Sequence, residues 1–357
     1  MNSFCRKHGL SIPVVLAPMG GGPSTPELVA AVSNAGGLGS LAAAYSNAER
    51  IQQDIAKVRE LTGRPFAVNL FSPQAQLPLN EGIEAVSDFL RPYHERLGLK
   101  APELPQKPIE DFDEQLEAVA KAAPPIVSFT FGLLPPQASE RLKAQGTYLM
   151  GTATTVEEAR QLEQVGVDAV IAQGSEAGAH RGTFAVPAEE ALVGTVALIP
   201  QAVDAVRVPV IASGGIMDGR GLVAALALGA SAVQMGTAFL ACKEAGTSAV
   251  YREALIRGRR SATTLTRAFS GRMARGLSNE FIEKWNASGL EHLPYPWQNA
   301  FTQPMRRAAT AAGHAGLLSL WTGQGVGMLR ETTAERLMSG LREEMKQAWS
   351  KLKEQIE

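Results

Sequence analysis

Residues 209–236 read PVIASGGIMDGRGLVAALALGASAVQMG. Two short apolar runs, PVIAS (209–213) and AVQMG (232–236), flank a stretch with helical spacing near 218–228. Each run is too short for a buried helix and is bounded by glycine, so each is predicted to be a strand. Being apolar on both faces, they suit a parallel sheet covered on both sides. A strand, a helix and a second strand make one βαβ unit, and the rest of the chain repeats it.

Upstream, VVLA (14–17), GLGSL (37–41), FAVNL (66–70), PIVSFT (125–130), TYLMG (147–151) and DAVIAQ (168–173) read as six more strands. Helical segments separate them, at 47–61, 112–122 and near 135–145, 155–165 and 188–206. The first helix is well marked: Thr25 can cap it, Pro26 suits its first turn and Glu27 complements its dipole. Eight strands alternating with helices predict an α/β fold, a parallel (β/α)8 TIM barrel, over residues 1–242. A doubly wound sheet is the rival, but it does not need eight units of such regular spacing.

Two segments fall outside the alternation. Prolines crowd residues 71–111, which read as an inserted loop or lid. From 243 to 357 a mainly helical extension is expected to pack on the barrel, broken by PYPWQNAFTQP (294–304) and WTGQGVG (321–327). Its last helix is expected to open on a capping box, Thr332 with Glu335. The apolar stripe Leu337, Leu341, Met345, Trp349 and Leu352 suits packing on the barrel or on a second copy, a homodimer.

Composition narrows the partners. The 357 residues are 45% hydrophobic and 19% charged, with net charge −1, so nothing in the charge favours nucleic acid or an anionic membrane. Cys5 and Cys242 are the only cysteines and show no metal spacing, which suits a reducing compartment. Neither a signal peptide nor an 18-residue apolar run is legible, and a cytoplasmic protein is expected.

In this fold chemistry sits just past the strands' carboxyl ends. Strand one leads into Ala17-Pro18-Met19 and three glycines, and strand three ends in Asn69. Strand six ends in Gln173 and runs through Gly178 to His180. Strands seven and eight end in Ser213-Gly214-Gly215 and Gln234-Met235-Gly236-Thr237. Glycine turns at those last two loops predict a cradle for a phosphate-bearing ligand, because bare amides can meet an anion. Gly37-Leu38-Gly39-Ser40-Leu41-Ala42 fits the loose dinucleotide fingerprint, but it lies within a strand and lacks the acidic follower.

Five histidines are present, and only His180 stands on the expected rim with glycines around it. An imidazole there is a natural proton acceptor near neutral pH. Glu176 and Arg181 are expected to orient or charge its ring. No metal-binding pair, Ser-His-Asp pattern or P-loop is present.

The segments APMGGGPSTPELVAAVSNAGGLGSLAA, FAVNLF, IAQGSEAGAHRGTF, ASGGI, QMGTAFL and YPWQNAFTQP…WTGQG resemble the nitronate monooxygenase family, formerly 2-nitropropane dioxygenase. The likeness covers nearly the whole chain. It implies non-covalent FMN contacted by Met19, Asn69, Gln173, Gly178, Gly214, Gly215, Gln234, Met235, Gly236 and Thr237. It also implies that His180 is the catalytic histidine, and that nitronate and O2 become a carbonyl compound and nitrite. Thr130 stands where some members carry histidine, and Asn299 and Gln303 where tyrosine and lysine occur, whereas Tyr295 fits. Those four are the expected substrate pocket. The same likeness extends to NAD(P)H-dependent quinone and enoyl reductases, the alternative activity, and a flavin-binding barrel without turnover is the non-enzymatic one.

Overall fold

The computed structural model describes residues 2–73, 79 and 82–357. Its strands are β1 (Val14–Leu16), β2 (Gly39–Ala42), β3 (Phe66–Phe71), β4 (Ile126–Thr130), β5 (Tyr148–Ala153), β6 (Ala169–Gln173), β7 (Ala179–His180), β8 (Val210–Ser213), β9 (Ala232–Met235), β10 (Thr263–Thr266) and β11 (Ala274–Leu277). Eight of them form one parallel sheet in the order β1-β9-β8-β6-β5-β4-β3-β2. A parallel bridge between Val15 and Leu38 joins its two ends. There the Leu16 amide donates to Leu38 O at 2.8 Å and the Leu38 amide to Val14 O at 2.9 Å. The barrel predicted from the eight strands is therefore closed.

Alternation along each strand sorts the core into two layers. Val14 and Leu16 face outward into the large cluster shared with the helices, while Val15 faces inward. Leu38, Ala67, Ile126, Met150, Ile171, Ile211 and Ala232 join Val15 in an inner cluster. Phe4 and Cys5, from the short helix Ser3–Lys7, belong to it too, so that helix plugs the amino-terminal end of the barrel. That leaves the carboxyl end of the barrel for a ligand.

Local signals explain several helices. Thr25 caps Pro26–Asn34 by accepting the Leu28 amide at 3.0 Å, a bond worth about 1 kcal/mol. Gly39 is glycine because a Cβ there would lie 2.1 Å from Val29 O, so the dinucleotide-like pattern is a packing device. The helix expected over 188–206 occupies Thr195–Ala205, since the residues before it are loop.

The last helix, Ala334–Ile356, corrects the expected cap by one residue: Thr333, not Thr332, accepts the Arg336 amide. Thr332 is drawn into a bridge with Cys242, and its carbonyl accepts the Lys243 amide. Leu337 and Leu341 are buried, whereas Trp349 is 60% exposed, so the apolar stripe packs only over its first half.

Two features depart from the expected pattern. Beyond residue 243 the chain forms the antiparallel hairpin β10–β11, and β11 pairs with β7 through Ala274↔His180 and Arg275↔Ala179. Within the proline-rich segment, residues 74–78, 80 and 81 lie outside the described residues. Its helix Ile83–Arg96 packs edge-on against the extension, Phe89 to Trp285 at 5.0 Å and Tyr93 to Phe281 at 5.6 Å. Among the described residues no helix is long and apolar enough to cross a membrane.

Candidate active site

A cavity of about 850 Å³ opens at the carboxyl ends of the barrel strands. Met19, Asn69, Gln173, Gly178, Gly214, Gly215, Gln234, Met235, Gly236 and Thr237 all line it, as do His180, Thr130, Asn299 and Gln303. Tyr295 stands behind the wall, its ring centre 6.1 Å from that of His180. From the proline-rich segment only Phe71 reaches the cavity among the described residues; the rest of the roof comes from the extension.

The His180 backbone is clamped from several sides. β7 is paired by β11, and the Gln173 carboxamide bridges the turn, donating to His180 O at 3.1 Å and accepting the Gly182 amide at 2.9 Å. Downstream, the fully buried Glu158 carboxylate accepts the Phe184 and Ala185 amides at 2.5 and 2.9 Å. Ala179 is held at φ 60 and Phe131, whose ring meets the His180 ring edge-on at 5.9 Å, at φ 77. Non-glycine residues in that region cost roughly 1–3 kcal/mol each and persist only where the surroundings dictate them.

Neither expected helper reaches the imidazole. Glu176 caps the helix at Thr195, accepting that residue's amide at 2.9 Å and its hydroxyl at 2.8 Å. Arg181 is buried and spends its guanidinium on the carbonyls of Gly174, Gln173 and Ala191. Each is drawn to the unpaired backbone groups around a helix start and a tight loop, where a charge is best used.

The ring's actual neighbours are Phe131, Tyr295, Trp321 and Ser270, whose Oγ lies 2.8 Å from Nε2. Burial, together with the nearby Arg272 and Arg306 guanidiniums, pushes the His180 pKa down to about 3, so the ring is neutral at physiological pH. Arg272 lies over the Phe131 ring and donates to Arg181 O and Thr183 O. Arg306 donates to Asn299 O at 2.6 Å and Asn299 Oδ1 at 2.9 Å, and no carboxylate pairs with it among the described residues. Burial lowers both guanidiniums to about 10, still cationic at neutral pH.

Another part of the cavity lining suits a flat, phosphate-bearing ligand. Gly214 and Gly215 have φ 116 and 70, and their amides bond no carbonyl among the described residues. At Gly236 a Cβ would lie 3.3 Å from Ala17 Cβ and crowd the same opening. Gln234 Oε1 and Thr247 Oγ1 are buried on the cavity wall without a hydrogen-bond partner among the described residues. Buried polar atoms in that state call for a ligand or water. Among the described residues no cluster of metal-binding side chains is present.

Ser270, Arg272, Arg306, Phe131 and Trp321 were not legible as site residues. Phe131 directly follows β4 and Trp321 bridges Gly276 of β11, while Ser270, Arg272 and Arg306 arrive through the β7–β11 pairing and the extension helix Trp297–Ala311; no local motif announces that convergence.

Together the closed barrel, the rim cavity and its clamped histidine define an enzyme of the (β/α)8 class. Residues 3–344 match the family model described as nitronate monooxygenase. A probable nitronate monooxygenase of Staphylococcus saprophyticus is 44% identical over 92% of this chain and 93% of its own. The solved nitroalkane oxidase from Streptomyces ansochromogenes is 42% identical, with a TM-score of 0.92 over 98% of this chain and 100% of that one. FabK from Thermotoga maritima is 29% identical, with a TM-score of 0.77 over 99% and 98%. The chain belongs to the nitronate monooxygenase family and is an oxidoreductase.

Proposed function

We propose that this enzyme binds FMN non-covalently and oxidises alkyl nitronates with O2 to a carbonyl compound and nitrite. Two nitronates and one dioxygen balance the products in atoms and charge. The observation that carries this reading is a neutral imidazole that lines the cavity together with the buried positive charge of Arg306, with the Arg272 charge close to the same ring over Phe131. Such a wall attracts a small anion, which a nitronate is and a neutral nitroalkane is not.

Gly214, Gly215, Gly236 and Thr237 would hold the FMN phosphate, and Met19, Asn69, Gln173, Gly178, Gln234 and Met235 its ring and chain. When bound, FMN supplies the electron-accepting ring that nitronate oxidation needs. The chain's own residues bind and orient the anion. Arg306, held by Asn299, draws the nitro oxygens, and the aromatic edges of Phe131 and Trp321 exclude water around His180. With a neutral nitroalkane, His180 is the neutral group placed to accept the α-proton, and its low basicity makes that the slower substrate; with a preformed nitronate that step is absent.

The test is aerobic turnover of several alkyl nitronates by FMN-loaded enzyme, following nitrite and oxygen uptake. Nitrite formation that depends on enzyme and O2 supports the proposal; no nitrite from any nitronate removes it. The likeness to FabK keeps an NAD(P)H-driven reductase as the second reading, which predicts that NADH or NADPH bleaches the flavin without oxygen.

A further inference from the structure

Ser270 is buried, and its hydroxyl meets three groups at once. It donates to Arg272 O at 3.0 Å, accepts the Arg272 amide at 3.3 Å, and lies 2.8 Å from His180 Nε2. A serine hydroxyl offers one proton and two lone pairs. With its proton on the Arg272 carbonyl, its lone pairs receive the Arg272 amide and a proton carried by Nε2, and every valence is used. If Nε2 were instead the acceptor, the hydroxyl would leave that carbonyl and one buried lone pair would stay empty, an arrangement that burial penalises.

From this count we propose that Ser270 is a positioning residue that fixes His180 as the Nε2–H tautomer and leaves the Nδ1 lone pair for the cavity. The turn that presents it is specified by the backbone: Gly271 has φ 76, and a Cβ there would lie 2.1 Å from Leu293 O. The arrangement stands next to the β11 residue Ala274, which pairs with His180 itself, so base and serine are aligned by one strand pairing. The consequence is directional. The neutral ring accepts at Nδ1 and cannot donate there, so it is set to remove a proton from a neutral nitroalkane, while the nitro oxygens are left to the guanidinium side. When Nδ1 takes that proton, the Nε2–H bond to Ser270 steadies the imidazolium that forms.

This inference rests on the proposed nitronate chemistry for its kinetic meaning but not for its structural content, and the experiment separates the two. Nitrogen-isotope-labelled histidine in the FMN-loaded full-length enzyme reports the tautomer of His180 by NMR, without turnover; the His180→Asn protein assigns the signal. The expected spectrum shows a protonated Nε2 and an unprotonated Nδ1 in the wild type and in Ser270→Thr. In Ser270→Ala the two tautomers mix, and kcat for a neutral nitroalkane falls about tenfold or more with KM little changed. That loss is expected to be steeper for the nitroalkane than for its nitronate, and Ser270→Thr to recover most of it. A wild-type Nδ1–H tautomer overturns the proposal whether or not the enzyme oxidises nitronates. So does an unchanged Nε2–H tautomer in Ser270→Ala. Should Ser270→Ala fail to fold, the wild-type and Ser270→Thr spectra still decide the matter.

Discussion

The Arg272 guanidinium lies 3.9 Å from the centre of the Phe131 ring, and that same ring meets His180 edge-on. A buried cation thus sits one aromatic ring away from the imidazole, and Arg306 adds a second from the extension. Burial first, and then both cations, hold the ring neutral, and Arg306 on the cavity lining makes the cavity hospitable to an anion.

Charge removal tests that arrangement. Arg306→Met should raise the His180 pKa and lower kcat/KM for a nitronate at least tenfold, because losing a buried charge partner costs roughly 2 kcal/mol or more. Arg306→Lys should recover part of the loss. Titration of the His180 ring by NMR, alongside nitronate kinetics at fixed ionic strength, is the check. An unmoved ring pKa would separate Arg306 from His180.

Replacing the imidazole separates its two uses. His180→Asn should reduce oxidation of neutral nitroalkanes by about a hundredfold, the scale of a lost general base, and affect preformed nitronates far less. Parallel assays with a nitroalkane and its nitronate measure the ratio. Equal losses would make the ring a binding group only.

Stability should carry the same signature. The His180 pKa is about 3 in the folded protein and near 6.5 when exposed, so the unfolded chain takes up a proton first as pH falls. The neutral ring's contribution is complete above about 6.5 and is lost progressively down to about 3, on the order of a few kcal/mol. His8, buried and lowered to about 4, acts in the same direction. Denaturant melts at several pH values should therefore show acid destabilisation through this window, and a shallower slope in His180→Asn.

The phosphate cradle predicts a backbone effect. Gly214→Ala puts a Cβ at φ 116 and 3.0 Å from Thr195 Oγ1, at a strain of roughly 1–3 kcal/mol. FMN affinity by fluorescence titration should weaken about tenfold or more. Unaltered affinity would place the phosphate elsewhere.

How far these features were legible depends on the range of the interactions that make them. The eight strands, the Thr25 cap and the rim residues from Met19 to Thr237 follow from local patterning, and the structure places them around one cavity. β10 and β11 read TTLT and ARGL, too short and irregular to register as strands; they exist because β7 and a hairpin partner complete their bonding. Ser270 lies 90 residues from His180, and Arg306 arrives on another helix, so neither leaves a pattern near the histidine. Glu176 and Arg181 misled for the converse reason: proximity in sequence put them beside His180, while unpaired backbone groups claimed their side chains.

On the proposed chemistry, electrons come from a nitronate held against this wall. Its most direct test is anaerobic mixing of the FMN-loaded enzyme with propionate 3-nitronate, and separately with NADH and NADPH, while following the flavin's visible absorbance. The nitronate is expected to change the flavin spectrum within the time of one turnover, and neither nicotinamide to do so. A flavin left unchanged by the nitronate but bleached by NADH would contradict that chemistry.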